Sequence, residues 1–247
     1  MKPCAGNFRR TDRFLTIRLN ERSMKRSEIN RLIREAMHFF KGMNFYLPPW
    51  AYWSLDVWRA RKDQCTEIFE SQMGWDLTDF GSGDFLNTGL LLFTLRNGQP
   101  GKGMKSYAEK IMVVEENQLT PLHFHWSKME DIINRGGGNL MIQLYASTPE
   151  ERLSSQNFEI CLDGISRTCV PGEVVVLHPG ESITLNPGQY HSFRGEPDKG
   201  KVLVGEVSAV NDDHSDNRFY EALGRFPEIE EDEAMAHPLI SDYIYIN

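Results

Sequence analysis

The chain has 247 residues, 40% hydrophobic and 25% charged, which suits one large domain or two small ones and excludes a mini-protein that needs staples. Its formal charge of -8, from 27 Lys plus Arg against 35 Asp plus Glu, disfavours nucleic acid as a partner, because phosphate-backbone binding draws on clustered cations. The cysteines Cys4, Cys65, Cys161 and Cys169 show no CxxC spacing, and no secretory leader pattern precedes them. The longest apolar stretches, such as Gly89 to Phe93, are far too short to span a bilayer, so the expectation is a cytoplasmic protein with free thiols.

In chain order, residues 1–26 come first, with eight basic residues and only Asp12 and Glu21 against them. They read as a poorly ordered extension or as the product of a start upstream of Met24, leaving residues 27–247 as a single domain. From Ser27 the residues Ile29, Leu32, Ile33, Ala36, Met37 and Phe40 fall on one helical stripe, with Ser27 placed to cap the first turn and Gly42 beyond the last. The aromatic run from Phe45 to Trp53 holds Pro48 and Pro49, which stop a helix. A second helix is expected from Leu55 to about Phe69, and the Gly-, Ser- and Asp-rich stretch Asp79 to Asn87 reads as a loop.

Beyond Leu90 the period becomes that of strands. Short strands are expected at Tyr107–Val114, Pro121–Trp126, Asp131–Asn134, Leu140–Tyr145, Phe158–Leu162, Ile165–Val170, Val174–Leu177, Ser182–Leu185, His191–Arg194 and Val202–Val207, with a hairpin turn at Asp163-Gly164. With no dinucleotide fingerprint and no phosphate loop, this pattern predicts a mainly β fold, an antiparallel barrel or sandwich behind N-terminal helices. The acidic run Glu228 to Glu233 reads as a solvated face or loose segment, and the apolar residues from Ile240 to Ile246 as a piece that packs on the body or on a partner.

The chemistry concentrates in Pro121-Leu122-His123-Phe124-His125-Trp126-Ser127-Lys128-Met129-Glu130. Residues two apart on a strand share a face, so His123 and His125 can aim into a barrel together. Glu130 follows a bend, and His191 follows the turn Asn186-Pro187-Gly188-Gln189-Tyr190 on a later strand. Three imidazoles and a carboxylate suit a borderline divalent metal with open positions, whereas an isolated His-x-His is also compatible with plain packing.

These residues resemble the cupin superfamily. Its first motif, His-x-His, three or four residues, Glu, six residues and Gly, is matched by His123, His125, Glu130 and Gly137. Its second, Pro-x-Gly-x-x-His with an Asn four positions on, is approximated by Pro187, Gly188 and His191, with the turn one residue shorter and Gly195 at the Asn place. From Met24 onward the chain is similar to the bacterial D-lyxose isomerase family, through Lys110, the Pro121–Glu130 segment and Gly205 to Phe219. The resemblance implies a cupin jelly roll that interconverts D-lyxose and D-xylulose, and also D-mannose and D-fructose, through an enediolate. It further implies a cytoplasmic homodimer using manganese, with zinc, cobalt or ferrous iron as alternatives. For that reaction Lys110 and Glu206 are the candidate acid–base pair, because a carboxylate interrupting an apolar strand is costly if it points inward unpaired. Trp126, Asp213, Asp216 and Arg218 are the candidate substrate-binding residues, from a wall and a polar rim loop. A cupin oxygenase and a sugar-binding cupin without turnover stand as alternatives.

Overall fold

The computed structural model describes residues 23–99, 101, 105–210, 212, 215–224 and 227–246, so the basic stretch through residue 22, with Cys4, lies outside the described residues, as does Asp213. The described chain opens with β1 (Met24–Lys25), α1 (Arg26–Gly42), a 3-10 turn at Pro49–Tyr52, α2 (Leu55–Arg61), a 3-10 turn at Lys62–Gln64 and α3 (Thr66–Glu70). The strands that follow are β2 (Gly74–Thr78), β3 (Leu90–Arg96), β4 (Tyr107–Val114), β5 (Thr120–Phe124), β6 (Glu130–Gly137), β7 (Leu140–Ala146) and β8 (Phe158–Leu162). Then come β9 (Ile165–Cys169), β10 (Val174–Leu177), β11 (Ser182–Leu185), β12 (Gln189–Gly195), β13 (Val202–Ala209), β14 (Arg218–Phe219), β15 (Ile229–Glu230) and a 3-10 segment at Ile240–Tyr245.

Two antiparallel sheets carry the fold, one ordered β2-β3-β4-β13-β6-β11-β8-β9 and the other β10-β7-β12-β5-β14. Alternate residues of each strand point inward, and Leu92, Met112, Ile132 and Val204 of the first sheet meet Ile142, Leu144, Val175 and Phe193 of the second in one core. This is the antiparallel two-sheet arrangement expected from the strand pattern, and the jelly roll that the cupin resemblance implies. The Asp163-Gly164 hairpin is present, with both residues at positive φ, as a two-residue turn between right-twisted strands requires. No helix among the described residues is long and apolar enough to cross a membrane.

The α1 stripe of Ile29, Leu32, Ile33, Ala36 and Phe40 lies on the outer face of β2, β3 and β4, against Trp75, Leu77, Leu91, Phe93, Ile111 and Val113. Strand β3 is therefore covered on both faces, Leu90 and Leu92 within the barrel and Leu91 and Phe93 under the helix. That double burial explains the unbroken apolar run there, and why period-2 alternation did not reveal the strand.

Three expectations are corrected. Residues 24–26 belong to the fold: Met24 and Lys25 pair with Ile229 and Glu230, and the buried Arg26 guanidinium bonds Asp242 and Glu231. Ser27 is not the cap of α1, which begins one residue earlier; its backbone amide and hydroxyl both donate to Asp232. The acidic run is thus tied to the helix start, where negative charge offsets the helix dipole. The helix expected from Leu55 to Phe69 is broken at Lys62–Gln64. In a straight helix Trp58 and Phe69 would stand about 16 Å apart, whereas the break brings their rings to 5.8 Å, both against Tyr243. The C-terminal residues Tyr243 and Ile246 pack on this aromatic cluster, while Ile244 and Tyr245 stay exposed.

Candidate active site

Strands β5 and β12 pair antiparallel with His191 directly opposite His123, and His125 follows just past the end of β5. The turn before β12 is locked to this strand, the Gly188 amide donating to the His125 carbonyl at 2.9 Å. One ring nitrogen from each of the three buried histidines falls within 4.8 Å of the others. Glu130, the first residue of β6, arrives from the other sheet. At the far end of β6, Gly137 is held at φ +87, and a Cβ there would stand 2.3 Å from the Lys201 carbonyl, which accounts for the glycine of the first cupin motif.

The second ring nitrogen fixes the tautomer of each imidazole. His123 Nδ1 lies 2.7 Å from the Pro121 carbonyl, His125 Nδ1 2.7 Å from the Asp216 carbonyl and His191 Nδ1 3.1 Å from the Gln189 carbonyl. A carbonyl only accepts, so each Nδ1 carries a proton, and in the neutral ring it is Nε2 that presents the lone pair. Burial, then the neighbouring His191 and His125, push the His123 pKa well below its ordinary value, which keeps that ring neutral.

Glu130 Oε1 lies 3.1 Å from His191 Nε2 and 3.4 Å from His125 Nε2. In the neutral rings these nitrogens are acceptors facing an acceptor, and the buried His191 Nε2 has no hydrogen-bond partner among the described residues. A divalent cation among them removes the conflict, and three imidazoles with one carboxylate are the donor set a borderline ion takes. The residues fit a metal. Burial alone would raise the Glu130 pKa, but the Lys128 ammonium, 2.7 Å from Oε2, is the largest opposing influence, and the carboxyl is held well below its usual range.

Glu206 and Lys110 face each other across β13 and β4, with Lys110 Nζ 3.4 Å from Glu206 Oε1 and both side chains buried. Lys128 Nζ lies 3.0 Å from the same Glu206 oxygen, so one ammonium joins Glu206 to Glu130. All of these line a cavity of about 90 Å³ together with the histidines, Asp76 and Asn217 and the apolar residues Leu90, Leu92, Met112 and Phe219.

The remaining expected residues stand elsewhere. Trp126 is half exposed outside the cavity and donates to Glu151 at 2.8 Å, as Arg218 does at 2.7 Å, so the two are bound together at the rim. The Asp216 carboxylate accepts the Ser127 and Lys128 amides at 2.9 and 2.8 Å, while its carbonyl accepts from His125; it therefore holds the ligand loop rather than facing the cavity. Lys128 and Asp76 were not picked out from the sequence. A lysine between His125 and Glu130 was a usable signal, since a cation there can balance an inward carboxylate. Asp76 had none, because its five-residue strand was not recognised.

A barrel of this kind, holding an imidazole–carboxylate centre beside a buried lysine–glutamate pair, is a cupin-type sugar isomerase, as its relatives show. The sequence model of the D-lyxose isomerase family matches residues 24–243, and the chain belongs to that family. It is 49% identical over 224 residues to the D-lyxose/D-mannose isomerase of Serratia proteamaculans, covering 90% of this chain and 98% of that one. The Escherichia coli O157:H7 protein of the same description is 46% identical over 224 residues, covering 89% and 98%. In fold the chain is similar to L-ribose isomerases solved with L-ribose. The Acinetobacter sp. DL28 enzyme has a TM-score of 0.57 at 17% identity, covering 85% of this chain and 99% of that chain. The Cellulomonas parahominis enzyme has a TM-score of 0.57 at 16%, covering 85% and 100%.

Proposed function

We propose that this sugar isomerase interconverts D-lyxose with D-xylulose, and D-mannose with D-fructose, using manganese held by His123, His125, Glu130 and His191, as a cytoplasmic homodimer. The observation that carries the reading is the buried Glu206 carboxylate, opposite Lys110 and joined through Lys128 to Glu130, in one cavity with the three imidazoles.

The reaction moves a proton between C2 and C1 while the two oxygens exchange roles as carbonyl and hydroxyl. Glu206 takes the carbon proton, its charge kept in a buried site by two neighbouring ammonium groups. Lys110 gives and recovers a proton at the sugar oxygen, or stabilises its negative charge. A divalent cation in the site supplies polarisation of the carbonyl and stabilisation of enediolate charge. Leu90, Met112 and Phe219 give the cavity apolar lining, which favours excluding water from the reacting carbons.

The test is incubation of manganese-reconstituted protein with a panel of aldoses, aerobically and anaerobically, with the ketoses resolved. The expected result is D-xylulose from D-lyxose and a slower conversion of D-mannose, at rates independent of oxygen. Oxygen consumption would point to a cupin oxygenase instead, and saturable sugar binding without product to a non-catalytic sugar-binding cupin.

A further inference from the structure

Thr120 opens β5 and is 3% exposed, yet no protein group among the described residues bonds its hydroxyl oxygen. A buried hydroxyl without a partner is costly and is seldom kept without use. This one lines the same cavity as the histidines.

Its orientation is built by an irregularity of the sheet. His123 and Thr120 are three residues apart, and strict alternation would put them on opposite faces. The register between β5 and β12 passes from His191 opposite His123 to Phe193 opposite Thr120, so three steps on β5 match two on β12. The extra residue is a bulge, the device by which a strand re-aims a side chain. Both Thr120 and His123 consequently face the cavity, one row apart along the sheet, or about 7 Å at the rise of two strand residues. That span is about the distance from the C1 oxygen of an extended aldose to the hydroxyls furthest along its chain.

We propose that Thr120 is a specificity-determining residue whose hydroxyl bonds a sugar hydroxyl on a carbon remote from C1 and C2. The inference rests on the isomerase reading above and adds to it the end of the substrate that the metal ligands and the Lys110–Glu206 pair do not reach. Phe193, beside Thr120 on β12, and Phe219 supply apolar surface around that contact. A sugar lacking the remote hydroxyl leaves Thr120 as it is in the ligand-free site, whereas one carrying it satisfies both groups.

The experiment compares wild type with Thr120→Val, which keeps the shape and removes the hydroxyl, and Thr120→Ser, which keeps the hydroxyl. Each is measured on the best-used aldose and on its analogues lacking the hydroxyl at C3, C4 or C5. Thr120→Val is expected to fall about ten- to a hundred-fold in kcat/KM, Thr120→Ser to stay within a few-fold of wild type, and the valine penalty to vanish on one of the deoxy sugars. The sugar-free valine variant is expected to melt close to the wild-type temperature, because no protein group among the described residues bonds the hydroxyl it removes, and to lose most of the stabilisation that sugar gives. A merely structural hydroxyl would lower the melting temperature and spare sugar discrimination, overturning the proposal. Wild-type turnover with an unchanged valine variant would overturn it while leaving the isomerase reading in place. Wild-type protein that neither turns over nor is stabilised by any aldose would overturn both.

Discussion

Glu206 Oε1 sits between the ammonium groups of Lys110 and Lys128, at 3.4 and 3.0 Å, and only Lys128 also reaches a metal-ligand candidate. Proton handling and metal holding are therefore separable at single residues. Glu206→Gln and Lys110→Met are expected to fold and bind manganese, yet lose exchange of the substrate C2 proton with solvent by about a hundred- to ten-thousand-fold. Proton exchange is followed with C2-deuterated sugar beside metal analysis of each variant; wild-type rates in both metal-loaded variants would remove them from the acid–base role. If only the glutamine variant fails, Lys110 holds substrate oxygen and Glu206 alone moves the proton. The histidines and Glu130 were legible because ligand spacing is a local pattern on a strand. So was the oddity of Glu206 among Val204, Gly205 and Val207. Lys128 was visible as a residue but not as a partner, since its meeting with Glu206 joins positions 78 apart in sequence. Trp126 and Arg218 have the chemistry of a sugar wall, but Glu151, which draws both to the rim, sits in a loop at φ +59 that no motif announced.

At the scale of elements, α1 is held at its start by the chain's acidic tail. Arg26 is fully buried between Asp242 and Glu231, and burial, which would lower its pKa, is outweighed by the hydrogen bonds it donates to both carboxylates, which raise it. Arg26→Met is expected to destabilise the protein by about 3–5 kcal/mol, because it strands the buried Asp242 charge; urea unfolding measures it, and a loss below 1 kcal/mol would show the pair to be dispensable. Glu231 is held below its ordinary pKa by the Arg26 hydrogen bonds, and Asp232 by the Ser27 backbone amide and then its hydroxyl. A carboxyl depressed in the folded state contributes stability that is fully present above its unfolded pKa of about 4 and is lost as pH falls through the folded value. A Glu231→Gln/Asp232→Asn variant should accordingly show a flatter dependence of the urea midpoint on pH below about 4 than wild type. An identical slope would show that other carboxyls govern acid unfolding. The α1 stripe and the later strands were readable because each has one buried face. Strand β3 was not, because its two buried faces erase alternation, and the break after α2 was not, because Tyr243, the ring that Trp58 and Phe69 both meet across it, lies near the other end of the chain.

For the whole molecule, the candidate metal site lies where the two sheets meet. His123, His125 and His191 belong to the five-stranded sheet or its immediate continuation, and Glu130 belongs to the eight-stranded one. A cation shared by all four would clip one sheet to the other, beyond the apolar contacts of the core. Binding that favours the folded state by a hundredfold excess over Kd adds about 2.7 kcal/mol, which in a chain of this size corresponds to roughly 5–10 °C in melting temperature. Manganese is therefore expected to raise the melting temperature of chelator-treated wild type by that order, and His191→Ala or Glu130→Gln to lose most of the rise. Hydrogen exchange separates a clip from a patch on one sheet. If Glu130 is a ligand, adding metal slows exchange in β6 as well as in β5 and β12, and Glu130→Gln confines whatever protection remains to β5 and β12. Protection limited to those two strands in wild type would assign the ion to the histidines alone and leave Glu130 as the partner of Lys128.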